Sequence, residues 1–384
     1  MAHNNTVFSQ LLKLIPRHEF ESMSHKHHHG QALRKTRRWS QFVALTLGQL
    51  AGRHSLRDIE SNMQAQANRL YHLGASPIAR TTLARLNRHQ PYTLYEHLFT
   101  RLYARCRRLA PGHGFRFKNK LYSLDASLID LSLKIFPWAH YALGKAAMKL
   151  HVSLDHCGGI PHFATITEGK IADIAIGRTL AYSKGSIVVF DKGYIDYKWF
   201  KSLNHKGIFF VTRIRQNVIW RVDTRRDVDN SQGITSDQTI TLTGIKPKRL
   251  GLPPLRRVGF RDPDTGQCYE FLTNNFRLSA QTIAEIYKQR WQVELFFKWI
   301  KQNLKIKSFI GNSKNAILTQ IWISLCTCLL LAYLKFSTRL NCSLQDMLRL
   351  LQLNLFIRRD LMALLRGDPP DKVDLSKHRQ LVLV

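Results

Sequence analysis

One short segment of the chain carries four polar side chains at helical spacing: Tyr287, Arg290, Glu294 and Lys301. The segment 287–301 contains no glycine or proline, and it is rich in helix formers. At about 100° per residue, the four side chains fall within a stripe about 60° wide. The other positions are mostly aromatic or aliphatic, which predicts a buried helix whose charges need partners. A carboxylate flanked by cations on such a helix favours a metal ion beside a phosphate.

A simpler interpretation of this segment remains open. Arg290 and Glu294 could form an ordinary ion pair on an exposed helix face, worth only a few tenths of a kcal/mol. The two tryptophans and two phenylalanines between 291 and 299 argue against an exposed face.

Two aspartates could join Glu294 in a metal site. Asp125 lies inside an alternating apolar strand at 121–129, where a charge is costly unless it is paired or metal-bound. Asp191 ends the β-branched run 186–191, and open α/β sheets bind ligands at the carboxyl ends of such strands. Three carboxylates are the hard oxygen donors that two Mg²⁺ ions need around a scissile phosphate, and Mn²⁺ could substitute.

Each of these acids could instead have a purely structural role. Either aspartate could be a cap or turn residue, and Asp191 could simply end its strand. Asp130 and Asp155 are rival carboxylates, although strand alternation puts Asp130 on the opposite face from Asp125.

The composition points to a folded protein with a polyanionic partner. The 384 residues are 44% hydrophobic and carry a formal charge of +32. Residues 1–120 hold 20 Lys/Arg against 5 Asp/Glu, a net charge of +15. Nucleic acid is the partner that such a charge favours. The six cysteines form no CxxC pair, and the first residues lack a signal-peptide pattern, so we expect a cytoplasmic protein with reduced thiols.

The pattern of apolar residues divides the chain into three predicted regions. Residues 1–112 read as a basic helical domain that binds DNA. Residues 113–310 read as a mixed α/β catalytic domain with a β-rich insertion at about 215–272, including a predicted helix over 171–182 and another over about 279–303. Residues 311–384 read as a C-terminal helical region. Its apolar stretch 316–336 is expected to be a buried core helix and not a membrane span.

A basic helix in the first region could read DNA. The turn at 74–77 is followed by a short helical pattern that carries Arg80, Arg85 and Arg88, as a helix-turn-helix motif requires. A solvated basic helix accounts for the same pattern equally well.

The polar stripe and the two aspartate segments together resemble the DDE transposases of bacterial insertion sequences. The resemblance is to the group marked by the signature Y-x2-R-x3-E-x6-K (YREK, insertion-sequence family four), which Tyr287, Arg290, Glu294 and Lys301 meet without a gap. The segments Leu124–Ser127 and Val188–Tyr194 are similar to the two aspartate segments of that family. The match covers residues 120–310 most strongly.

The resemblance implies a ribonuclease-H-like core in which Asp125, Asp191 and Glu294 bind two Mg²⁺ ions. It also implies that Tyr287, Arg290 and Lys301 contact phosphates of the transposon end. The enzyme would cut the terminal inverted repeats of its element and join the 3′-hydroxyl ends to target DNA. We therefore expect double-stranded DNA as partner, no membrane, and a homodimer in the DNA complex. The alternatives are a catalytically inactive DNA-binding repressor and a stand-alone metal-dependent nuclease.

Overall fold

The computed structural model describes residues 5–34, 36–142, 145–304, 306 and 309–369. The last part of the predicted C-terminal region, 370–384, lies outside these residues. The chain divides into two compact units, one formed by Met1–Leu102 with Asn303–Val384 and the other by Tyr103–Gln302. The predicted N-terminal and C-terminal helical regions therefore fall in the same unit, and the three-domain division stays a prediction.

The described part of the chain contains fifteen α-helices. They are α1 (Val7–Leu12), α2 (Arg17–Lys26), α3 (Arg38–Leu50), α4 (Leu56–Ala65), α5 (Ala67–Leu70), α6 (Arg80–His89), α7 (Thr93–Leu109), α8 (Asp173–Gly177), α9 (Tyr197–His205), α10 (Ile245–Leu250), α11 (Ala280–Gln289), α12 (Trp291–Asn303), α13 (Lys314–Thr338), α14 (Leu344–Asn354) and α15 (Leu361–Arg366).

The described residues also form ten strands. They are β1 (Leu121–Leu131), β2 (His140–Ala142), β3 (Lys145–Asp155), β4 (Ile160–Glu168), β5 (Ile187–Phe190), β6 (Phe209–Arg213), β7 (Trp220–Arg226), β8 (Ile234–Leu242), β9 (Leu255–Arg261) and β10 (Cys268–Thr273).

The helical unit is built around two buried helices. Every residue of α3 is buried, and α13 packs against α3 and α6. Of the described helices, α13 is long and apolar enough to cross a bilayer, but 94% of its most apolar window is buried inside the protein. That burial is typical of a core helix.

The second unit contains one mixed sheet of ten strands among the described residues. Strand β1 pairs antiparallel with β3, which pairs antiparallel with β4 across a turn in which Gly158 and Gly159 both have positive φ. On its other side β1 pairs parallel with β5, and β5 pairs parallel with β6. Three antiparallel strands followed by two parallel strands is the order of a ribonuclease-H-like core, which confirms the predicted mixed α/β fold class.

The predicted insertion is β-rich and continues the main sheet. Strand β10 pairs antiparallel with β6, and β9, β8 and β7 follow it outward to the sheet edge. A hydrophobic cluster lies on each face of the sheet. One includes Leu124 and Phe190 with residues of α9, and the other includes Leu121 and Val189 with residues of α11.

Two predicted helices differ from the structure. The helix expected over 171–182 is only the five-residue α8, which ends at Gly177, a poor helix former. The helix expected over 279–303 is divided at Arg290 into α11 and α12. At this junction the Arg290 N–H donates to Tyr287 O at 3.0 Å and the Val293 N–H donates to Arg290 O at 3.2 Å. Both bonds span three residues, which is a tightened helical turn.

Candidate active site

Strand pairing brings Asp125 and Asp191 side by side. Leu124 of β1 is paired with Phe190 of β5, and both belong to the same hydrophobic cluster. The next residue on each strand points to the opposite face because side chains alternate along a strand. Asp125 and Asp191 therefore lie next to each other on the α11 face, at the carboxyl end of β5.

Buried asparagines fix the start of α11 against the sheet. The Asn274 Oδ1 accepts the Phe210 N–H at 2.9 Å, and the Asn274 Nδ2 donates to Ile208 O at 3.0 Å. The Asn275 Oδ1 accepts the Arg277 and Leu278 N–H groups, and Ser279 then caps the helix. These bonds set the direction in which α11 runs over the sheet.

Helix α11 places the Tyr287 side chain beside Asp191. The Tyr287 ring packs in the cluster on this face, and its hydroxyl donates to Asp191 Oδ1 at 3.3 Å. Burial raises the pKa of the Tyr287 hydroxyl to about 12, so it remains a hydrogen-bond donor near neutral pH.

The Arg290 guanidinium connects the other two acids. Its Nη2 donates to Glu294 Oε1 at 2.6 Å, and its Nη1 donates to Asp125 Oδ2 at 3.4 Å. Its carbon lies 5.7 Å from the Tyr287 ring centroid. The Arg290 Nε is buried without a hydrogen-bond acceptor among the described residues, which is a costly arrangement.

The three carboxylates act on one another electrically. Burial raises the pKa of Asp125 to about 6; the Ala126 N–H and Arg290 oppose that rise, and the charges of Glu294 and Asp191 add to it. One guanidinium, which bonds two of the three acids, leaves an excess of negative charge in a partly buried site. An oxygen-only donor set with excess negative charge suits a hard divalent cation.

The three carboxylates do not form a binding site for a single metal ion. Among the described residues, no three His, Cys, Asp or Glu side chains are grouped closely enough to hold one ion. Each of two metal ions could instead be bound by a different pair of the three carboxylates.

Lys301 lies on the same face as Asp125. Its Nζ donates to Ser127 Oγ at 2.6 Å and to Leu128 O at 2.8 Å. Arg290 and Lys301 thus reach β1, Tyr287 reaches the end of β5, and Glu294 is held through Arg290, even though the helix is divided. The expectation that this segment is buried all round is wrong, because Trp291 and Leu295 are 56% and 43% exposed.

The predicted DNA-contacting residues of α6 are exposed. Arg80, Arg85 and Arg88 all face solvent, while Leu83 and Leu86 are buried. The motif differs from a compact helix-turn-helix, since nine residues, 71–79, separate the four-residue α5 from α6.

Sequence patterns did not single out three cations beside Asp191. Lys192 follows Asp191 directly, while Arg213 and Arg215 lie at the end of β6. The signal that could have identified the two arginines is their position at the carboxyl end of a strand next to β5.

The chain resembles known transposases over most of its length. Residues 117–331 match the family described as Transposase DDE domain, and residues 3–76 match a domain of unknown function (DUF4372). A Sinorhizobium fredii protein named as a transposase (y4zB) is 34% identical over 294 residues, which cover 75% of this chain and 80% of that protein. A Geobacillus stearothermophilus protein named as the transposase of insertion sequence element IS5377 is 28% identical, over 67% of this chain and 68% of its own.

Two further relatives are more distant. A Synechocystis protein named as the transposase of insertion sequence element IS4SA is 26% identical, over 61% of this chain and 65% of its own. A solved piggyBac transposase synaptic complex with hairpin DNA aligns with a TM-score of 0.44 and 11% identity, over 96% of this chain and 85% of that chain. The family match over more than half of the chain and the 34% identical relative show that the chain belongs to the DDE transposases.

Proposed function

We propose that this DDE transposase binds the terminal inverted repeats of an insertion sequence, cuts them by Mg²⁺-dependent hydrolysis, and joins the freed 3′-hydroxyl ends to target DNA. The observation that supports the proposal is the electrostatic coupling of Asp125 to Asp191 and Glu294, acids that are separated by 66 and 103 residues in the chain. The Arg290 guanidinium bonds Asp125 and Glu294, and burial raises the pKa of Asp125, to which the charges of Glu294 and Asp191 add. Such a cluster is typical of catalytic sites.

Asp125, Asp191 and Glu294 would hold two Mg²⁺ ions, for which Mn²⁺ could substitute. When bound, the ions would activate the attacking oxygen and stabilise the leaving oxygen of the phosphodiester. The protein's own contribution is to hold three oxygen donors on two strands and one helix. The Tyr287 hydroxyl orients Asp191, and the Arg290 fork orients Asp125 and Glu294.

We assign phosphate binding to the cations of the polar stripe. Arginine binds phosphate through a bidentate fork, and lysine binds it as a point charge. The buried Nε of Arg290 lacks an acceptor among the described residues. A phosphate oxygen reached by a small shift of the guanidinium would supply one. Lys301 lies along the same face and would extend the contact along the strand.

We assign recognition of the transposon ends to the N-terminal helices. Residues 1–120 carry a net charge of +15, and the exposed Arg80, Arg85 and Arg88 give α6 a positive surface. Cutting both ends of one element in a single complex requires two active sites, so we propose a homodimer on DNA. The protein would act in the bacterial cytoplasm, where its DNA substrate is.

The proposal is tested with labelled inverted-repeat DNA and Mg²⁺. We expect cleavage at the element end followed by joining to a target duplex, and we expect Glu294→Gln to abolish cleavage while it still binds the DNA. The matched control is Asp130→Asn, which removes an exposed carboxylate on the opposite face of β1. Binding without cleavage by the wild-type protein, or cleavage without joining, would contradict the proposal.

A further inference from the structure

A cavity of about 600 Å³ is lined by Asp191 but not by the other two acids, Asp125 and Glu294. It is formed where β5 and β6 end, at the edge of the sheet where α/β proteins bind ligands. Its charged lining consists of Asp191 and three cations, Lys192, Arg213 and Arg215. None of the roles assigned above uses these cations.

Two of the cations are held in place by local contacts. The Arg215 Nε and Nη2 donate to Lys192 O at 3.1 and 2.8 Å, so Arg215 is fixed to the turn that follows Asp191. The Arg213 guanidinium carbon lies 5.2 Å from the Tyr269 ring centroid. Side chains that are already ordered lose less entropy when they bind a ligand.

The cations that line the cavity outnumber its acids. No salt bridge to Lys192, Arg213 or Arg215 is found among the described residues, and Asp191 is the single carboxylate among the described residues that line the cavity. A concave site with three cations and one carboxylate attracts anions. The planar fork of arginine matches the oxygens of a phosphate better than it matches a chloride or a lone hydroxyl.

The cavity is also open enough for a strand to lie across it. Lys192, Gly193 and Arg215 are exposed, and no atom lies within 4 Å of a side chain added at Gly193. A DNA strand passing the acid site would carry its next phosphates along this turn, since neighbouring nucleotides are about 3.4 Å apart along the duplex axis.

We propose that the cavity binds a DNA phosphate within two nucleotides of the phosphodiester that is cut. This inference rests on the proposed function, because it assumes that Asp191 faces the scissile phosphate. Lys192 and Arg215 would hold the neighbouring phosphate and so fix the register of the strand over the acids. Arg213, which lies deeper, would add charge and order Tyr269 beside the site.

The test combines a charge-removing variant with DNA in which single phosphates are replaced by neutral methylphosphonates. Binding of inverted-repeat DNA is measured with Ca²⁺ at several salt concentrations for wild type and Lys192→Gln. We expect Lys192→Gln to weaken binding about tenfold, as loss of a charged hydrogen bond does, and to lower the salt slope by about one. One methylphosphonate within two nucleotides of the cut should weaken wild type similarly and leave Lys192→Gln unaffected.

Two controls make the result specific. Lys206→Gln removes an exposed cation just after α9 and should bind every DNA like wild type. Binding by Arg215→Gln should be insensitive to a methylphosphonate at the same position as binding by Lys192→Gln. Arg215→Gln therefore provides a second variant if Lys192→Gln fails to fold. If the loss of binding affinity in each variant simply adds to the loss caused by a methylphosphonate at every position tested, the side chains and the phosphates act independently. That result would overturn the inference. Wild-type cleavage of unmodified DNA in Mg²⁺ tests the proposed function separately, so failure of one does not imply failure of the other.

Discussion

Two charged clusters in the sheet-containing unit balance their charges in opposite ways. At the acid site, the Arg290 guanidinium bonds two of the three carboxylates, and burial and mutual repulsion raise the pKa of Asp125. In the β7–β10 segment, the single carboxylate of Asp237 bonds to two arginines, Arg256 at 2.7 Å and Arg226 at 3.0 Å. Burial opposes its ionisation, but the two arginines lower the pKa of Asp237 below its usual value.

The difference separates a structural cluster from the cluster that we propose to be functional. Arg256 also donates to Asn275 O and Leu278 O, so the Asp237 cluster joins β8 and β9 to the segment that leads into α11. Each of its charges has a partner in the protein. The acid site keeps unbalanced negative charge, which costs stability and is retained in proteins where a ligand uses it.

The largest expected effect is the loss of DNA cleavage when an acid of the acid site is replaced. Asp191→Asn keeps the shape of the side chain and removes one anionic oxygen donor. We expect single-turnover DNA cleavage to fall at least about a thousandfold, since metal-assisted charge stabilisation is worth several kcal/mol. Thermal unfolding should be unchanged or shifted upward, because one repulsive charge is gone. Cleavage within tenfold of wild type would show that Asp191 does not take part.

The second largest effect concerns the Asp237 cluster, where a substitution should lower the free energy of unfolding without affecting DNA cleavage. Asp237→Asn leaves the buried Arg256 without its counter-ion, and breaking a buried pair costs about 3–5 kcal/mol. We expect denaturant unfolding to show that loss, while cleavage at low temperature stays within about threefold of wild type. Asp264→Asn is the control, because Asp264 and its partner Lys288 are 80% and 72% exposed and their pair contributes little. If both variants changed the free energy of unfolding by the same small amount, the structural role of Asp237 would be contradicted.

The third effect is a difference in pH dependence. The folded pKa of Asp125 is raised from 3.8 to about 6, so its contribution to stability is full below pH 3.8 and is lost as pH rises through 6. Without divalent ions, Asp125→Asn should be about 1–3 kcal/mol more stable than wild type at pH 7, and this gain should vanish near pH 4.

The folded pKa of Asp237 is lowered, so the stability it contributes is present above the unfolded pKa and is lost as pH falls through the folded pKa. The destabilisation by Asp237→Asn should therefore shrink in acid. Urea unfolding from about pH 2 to pH 8 covers both transitions, and parallel trends for the two variants would contradict the contrast.

The smallest expected effect concerns Lys301. Its Nζ bonds to Ser127 and Leu128 near the protein surface, where such bonds contribute little to folding, so its removal should alter DNA contact more than folding. We expect Lys301→Met to reduce the slope of log binding constant against log salt by about one and to weaken binding several-fold. An unchanged slope would show that Lys301 makes no phosphate contact.

Local patterns predicted the parts of the fold that depend on short-range periodicity. The alternation around Asp125 and the β-branched run before Asp191 predicted two strands, and β1 and β5 are both present. The local sequence Ser55-Leu-Arg-Asp58 is typical of a helix start, and Ser55 forms a capping box with Asp58 at the start of α4. Such signals lie within a few residues of the element that they define.

Contacts between distant segments could not be read from the sequence. Arg290 and Asp125 are 165 residues apart, and the pairing of β10 with β6 joins segments about 60 residues apart. A strand pattern gives the face of each side chain but not the neighbour of the strand. For the same reason the insertion was predicted as a separate feature, and the cations around the Asp191 cavity were not grouped together.

The most direct test of the central claim exchanges the ligand type at Asp191. Asp191→Cys places a soft sulfur where Mg²⁺ requires oxygen, whereas Mn²⁺ tolerates sulfur better. Cleavage of labelled inverted-repeat DNA would be measured for this variant in each metal. We predict no cleavage in Mg²⁺ and restored cleavage in Mn²⁺. Normal cleavage in Mg²⁺ would contradict the assignment of Asp191 as a metal ligand.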